Sequence, residues 1–104
     1  MNRIYTTGRM WPIRGASDLV GAARRAEEIA RSLGWPEKDA DALSRMVLEL
    51  GGSALERVGG GSCRLEAGAT VAEVVVEDLN GERSRANLTV TATPAPIGIL
   101  SAAS

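Results

Sequence analysis

Helical periodicity dominates the first half of the chain, and two-residue alternation the second. Leu19, Ala22, Ala23, Ala26, Ile29, Ala30 and Leu33 recur at the spacing of one helix face. Arg24, Arg25, Glu27, Glu28 and Arg31 fill its polar side. Ser17 offers an N-cap, Asp18 suits the positive end of the helix dipole, and Gly34 follows as the C-terminal stop. A second stripe, Ala40, Leu43, Val47, Leu50, Ala54 and Val58, predicts a helix from about Glu37 to about Val58. Pro36 suits its first turn, and Gly59-Gly60-Gly61 ends it. The link between the helices is short, so they are expected to pack as a hairpin.

The flanking segments read as strands. Ile4 to Ile13 carries Tyr5, Met10, Trp11 and Ile13, with Pro12 confining that strand to an edge or a strand end. After the glycines, Cys63, Leu65 and Ala67 alternate with Ser62, Arg64 and Glu66. Gly68-Ala69 marks a turn, Val71 to Leu79 reads as a central strand, and Asn80-Gly81 signals a hairpin. Leu88, Val90 and Ala92 then alternate with Thr89, Thr91 and Thr93 as a last strand. Residues 94–104 are Pro, Ala, Gly and Ser around Ile97, Ile99 and Leu100, expected to be weakly ordered or to tuck those three residues onto the body. Strand, helix, helix and meander together predict an α+β two-layer sandwich over residues 1–93. Two helices would cover one face of a mixed, mostly antiparallel sheet.

Composition narrows the chemistry. At 104 residues the chain supports one core, and without Phe that core must be Leu, Val, Ile and Ala. A net charge of −1 gives no basic stripe for nucleic acid. The lack of His removes the usual near-neutral base and the commonest metal ligand. Cys63 stands alone, which excludes an intrachain disulfide and reads as a buried, inert thiol. No apolar run is long enough for a membrane span and no signal-peptide pattern opens the chain, so a soluble cytoplasmic protein is the expectation.

The second helix holds the candidate chemistry. Arg45, Glu49, Ser53 and Glu56 share a face beside the apolar stripe, placing a carboxylate and a hydroxyl one turn apart. Gly51 and Gly52 lie between, each costing about 1 kcal/mol in a helix interior. Either the helix breaks at Gly51 and restarts with Ser53 as N-cap, or something packs closely on a bare backbone. The three glycines at 59–61 are a flexible link or a phosphate cradle. Trp11 and Trp35 are core residues or partner anchors, with Trp35, between the helices, the better anchor candidate.

Ala23-Arg24-Arg25, Ile29 through Gly34, Asp39-Ala40-Asp41-Ala42-Leu43 and Val47-Leu48-Glu49-Leu50 together resemble the anti-sigma regulatory factor and switch serine kinase branch of the GHKL (HATPase, Bergerat-fold) superfamily. The resemblance runs roughly from Ile13 to Gly81. It implies a Bergerat-like fold. It puts Glu49 on the family's general base, Ser53 on the Asn that binds magnesium four residues later, and Asp78 on the adenine-binding Asp. The chain departs from the pattern at several points. Ser53 replaces the amide, Asn80 and Glu82 occupy the two glycine positions around Gly81, and no later GxGxxG lid is present. A carboxylate at position 82 would repel phosphates. Against these roles stand plainer ones: Glu49 as a solvated partner of Arg45, and Asp78 as a strand-end carboxylate before a turn.

The expectation is a non-catalytic anti-sigma-factor-like protein-binding module in bacterial partner switching, with no cofactor. Its partner would be a protein such as an anti-anti-sigma or sigma-type regulator, in a homodimer or hetero-complex, without nucleic acid or membrane. One alternative is an ATP-binding serine kinase with a shortened site, using ATP and magnesium at Glu49, Ser53, Asp78 and Gly81. The other is a structural or assembly module.

Overall fold

In the computed structural model, which describes residues 9–90, strand β1 (Arg9–Ile13) leads into helices α1 (Ala16–Ser32) and α2 (Glu37–Val58). Strands β2 (Gly61–Ala67), β3 (Val71–Asp78) and β4 (Arg83–Thr89) follow. The sheet order is β1-β2-β3-β4, with every neighbouring pair antiparallel. The α+β two-layer arrangement is therefore as expected, and among the described residues every strand pair is antiparallel, with no parallel pair of a mixed sheet. Both helices lie on one face, α1 toward β1 and β2, and α2 chiefly over β3.

Alternation along the strands decides which side chains meet the helices. Cys63, Leu65 and Ala67 of β2 and Ala72, Val74, Val76 and Asp78 of β3 are buried, and their sequence neighbours point to the open face. Buried Ala22, Ala23, Ala26, Ala30, Ala40 and Ala54 let the helices approach each other and the sheet closely. Leu43, Val47, Leu65, Val74 and Val76 fill the space between, each contributing roughly 1.5–3 kcal/mol by burial. Cys63 is fully buried, and burial pushes its thiol up to about 11.

Gly51 and Gly52 lie inside an unbroken α2. A Cβ on Gly51 would come within 2.5 Å of Leu19 Cδ1, so Leu19 of α1 packs against bare backbone there. At Gly52 the same atom would sit 3.7 Å from Leu19 Cδ2, an ordinary contact. Close packing therefore explains Gly51 but not Gly52, and the unbroken helix removes the alternative of an N-cap at Ser53.

Several local expectations change. α1 starts at Ala16 with Gly15 as N-cap, and Ser17 lies inside it. Asp18 reaches back to accept the Arg14 N–H at 3.0 Å and Nε–H at 2.9 Å, which hold its carboxyl below the usual range. Pro36 is the N-cap of α2 rather than a first-turn residue. Of the two readings of Trp35, core is the one observed: it is buried and its indole N–H donates to the Gly68 carbonyl at 2.9 Å. β4 begins at Arg83, five residues before Leu88. Its inward positions Ser84 and Ala86 are small or polar, so apolar alternation marked only its far end. Ile4 to Gly8, Thr91 to Thr93 and the segment 94–104 with Ile97, Ile99 and Leu100 lie outside the described residues. No helix among the described residues is long and apolar enough to cross a membrane.

Candidate functional site

The candidate residues separate into two places. At one end of the sandwich, the last turn of α2 meets the turn between β3 and β4. Gly59 caps α2 in the left-handed conformation at φ 86°. A Cβ on Gly60 would collide with the Ile13 carbonyl oxygen, and one on Gly61 with the Glu77 carbonyl oxygen. The Gly60 carbonyl also accepts the Leu79 N–H at 3.2 Å. The three glycines are thus a helix stop and two close backbone crossings, neither a loose link nor an open cradle.

Asp78 is the centre of this end. Its side chain is 1% exposed. Oδ1 accepts the N–H groups of Asn80 at 2.9 Å and Glu82 at 3.0 Å, and Oδ2 accepts Arg57 Nη1 at 3.2 Å. Burial pushes this carboxyl up, but the Glu82 and Asn80 N–H donors and the Arg57 guanidinium outweigh it and hold it below the usual carboxylate range. The Gly81 N–H donates to the Asp78 carbonyl at 2.9 Å, with Gly81 in the left-handed region at φ 85°. The turn is built around Asp78, and both of its oxygens are engaged within the chain.

Arg57 is the member of this group that the sequence pattern did not single out. Its Nε donates to Ser53 Oγ at 3.4 Å, and Nη1 lies 3.6 Å from Glu82 Oε1 as well as reaching Asp78. One guanidinium therefore draws together Ser53, Asp78 and Glu82. The available signal was its position one turn after Ser53 on the same helix. Ser53 itself is exposed.

Glu49 belongs elsewhere. It lines a groove of about 310 Å³ between α2 and β4, with Ala42, Arg45, Met46 and Leu50 on one wall and Ala86 and Leu88 on the other. Arg45 pairs with Asp41 at 2.7 Å rather than with Glu49. The expected Arg45–Glu49 pair is thus corrected, because the carboxylate one turn earlier holds the guanidinium. Glu49 is exposed.

An adenine amino group needs an accessible acceptor, whereas Asp78 is 1% exposed and both of its oxygens already accept from the turn and from Arg57. A magnesium ion needs oxygen ligands facing one point, whereas Ser53 Oγ lies under the Arg57 cation. Glu82 adds a second carboxylate at this end, 3.6 Å from Arg57 Nη1. In this arrangement Asp78, Ser53 and Glu82 are engaged with Arg57 and the β3–β4 turn rather than facing a common open point. No family model matches the chain, and neither the curated proteins nor the solved structures provide a match.

Proposed function

We propose that this chain is a non-catalytic, anti-sigma-factor-like binding module that acts by holding a protein partner in a bacterial partner-switching system. The supporting observation is the closed Asp78 centre. The residue that the resemblance assigns to adenine serves instead as the hub of the β3–β4 turn, locked to α2 by Arg57. Two helices on one face of an antiparallel sheet suit the resemblance, and β3 passes directly into β4 where the family would carry further nucleotide-site elements. Function then depends on surfaces. The partner would be an anti-anti-sigma or sigma-type regulator.

Isothermal titration of the full chain with ATP and magnesium is the test. The expected result is no heat of binding at millimolar nucleotide. A saturable, magnesium-dependent isotherm would replace this reading with that of a serine kinase using a shortened site.

A further inference from the structure

β4 is the last strand of the sheet, and among the described residues its outer edge has no partner. The direction of its backbone groups follows from two bonds. The Val90 N–H donates to the Thr70 carbonyl, and the Glu82 carbonyl accepts the Asp78 N–H. Antiparallel ladders alternate, so even-numbered residues of β4 turn their N–H and C=O groups toward β3. Arg83, Arg85, Asn87 and Thr89 therefore direct theirs outward. The strand carries neither Pro nor an inward-pointing charge, two devices that commonly block an edge.

We infer that a second copy of this chain docks on the β4 edge. The two strands pair antiparallel about Asn87, and Arg45 of each copy faces Glu49 of the other. The register follows from charge and size. Centring the pair on Arg85 would oppose two guanidinium groups, whereas centring it on Asn87 sets Arg85 against the partner's Thr89. On the helix side the same register sets Ala86 against the partner's Leu88, small against large.

A two-fold axis perpendicular to the sheet keeps both helix layers on one face and merges the two grooves. α2 lies chiefly over β3, so the two α2 axes stand about three strand spacings apart, roughly 14 Å. Directly packed helices stand about 8–10 Å apart. The extra width requires long side chains, and the groove wall presents Arg45, Met46, Glu49 and Leu50. The groove is lined from Ala42 to Leu50 on α2 and by Ala86 and Leu88 on β4, so an axis beside Asn87 stands level with the middle of that stretch of α2, near Arg45 and Glu49. Antiparallel copies then place each Arg45, whose exposed guanidinium keeps further N–H donors beyond the one given to Asp41, against the partner's Glu49. Glu49 makes no ion pair among the described residues, and an exposed carboxylate beside an apolar groove gains one here. Self-association through β4 stands apart from the family reading and survives its failure.

Sedimentation equilibrium of the full chain over a wide concentration range tests the inference. The expected result is a monomer–dimer equilibrium. Asn87→Pro removes only an outward N–H, so it should abolish the dimer while circular dichroism and thermal midpoint stay near those of the parent. Glu49→Arg should weaken the dimer about tenfold or more, and Arg45→Glu combined with Glu49→Arg should restore it. That charge swap keeps the test decisive if Asn87→Pro fails to fold. A full chain that stays monomeric at every concentration overturns the inference. So does a dimer indifferent to both Asn87→Pro and Glu49→Arg. A chain ending at Val90 that dimerises where the full chain does not would assign the edge to residues 91–104 instead.

Discussion

Arg57 Nη1 meets Asp78 Oδ2 at 3.2 Å, tying the last turn of α2 to the end of β3 with the carboxylate buried and the guanidinium half exposed. The pair sets the helix layer against the sheet at the end where the β3–β4 turn begins. It also makes Asp78 a structural hub rather than an open acceptor.

That hub makes stability depend on pH. The Asp78 carboxyl is held below its ordinary range in the folded chain, so its contribution is fully present above the unfolded pKa of about 3.9. It is lost as pH falls through the lower folded value. Asp78→Asn, which keeps one acceptor oxygen and removes the charge, should flatten the fall of thermal midpoint with pH below about 4. Some slope remains in the variant because Asp18 is lowered in the same direction by Arg14. Thermal melts from neutral to acid pH show the difference. Identical profiles for the two proteins would mean that Asp78 is not charged and paired as described.

The two glycines of α2 should respond differently to Ala. Gly52→Ala meets only an ordinary contact with Leu19 and should stabilise the chain by about 0.5–1 kcal/mol. Gly51→Ala gains the same helix preference but displaces the Leu19 methyl, so it should fall at least about 1 kcal/mol below Gly52→Ala. Urea unfolding measures both. Equal stabilisation at the two sites contradicts the packing of Leu19 on Gly51.

Trp35 should behave as a core residue with a polar tether. Trp35→Phe keeps most of the apolar area but leaves the Gly68 carbonyl without its indole donor, at a cost of about 1–3 kcal/mol. Denaturant unfolding gives the value. A variant as stable as the parent would remove the 2.9 Å bond from the account.

The fold was largely legible because its periods are clean. The α2 stripe from Ala40 to Val58 and the alternation of Cys63, Leu65 and Ala67 set the layers without tertiary information. The start of β4 was not legible. Its register is imposed by the Asp78-centred turn, and Ser84 and Ala86 give no apolar signal. The candidate site was legible residue by residue but not as an arrangement. Ser53 and Glu49 share a helix face, yet Arg57 draws Ser53 to Asp78 while Glu49 looks onto β4. Trp35 could be read as core or as anchor because a loop position says nothing about whether an indole finds a buried carbonyl.

A ¹⁵N-resolved NMR titration of the full chain with ATP and magnesium, read at the amides of Asn80, Gly81 and Glu82, reports directly on whether the Asp78 centre opens to nucleotide. These amides form the turn that encloses Asp78 and would feel an adenine there first. Their resonances are expected to stay in place up to millimolar nucleotide. Saturable, magnesium-dependent shifts confined to that turn and to Ser53 would contradict it, since they would require Asp78 to release Arg57 and the turn to accept a nucleotide.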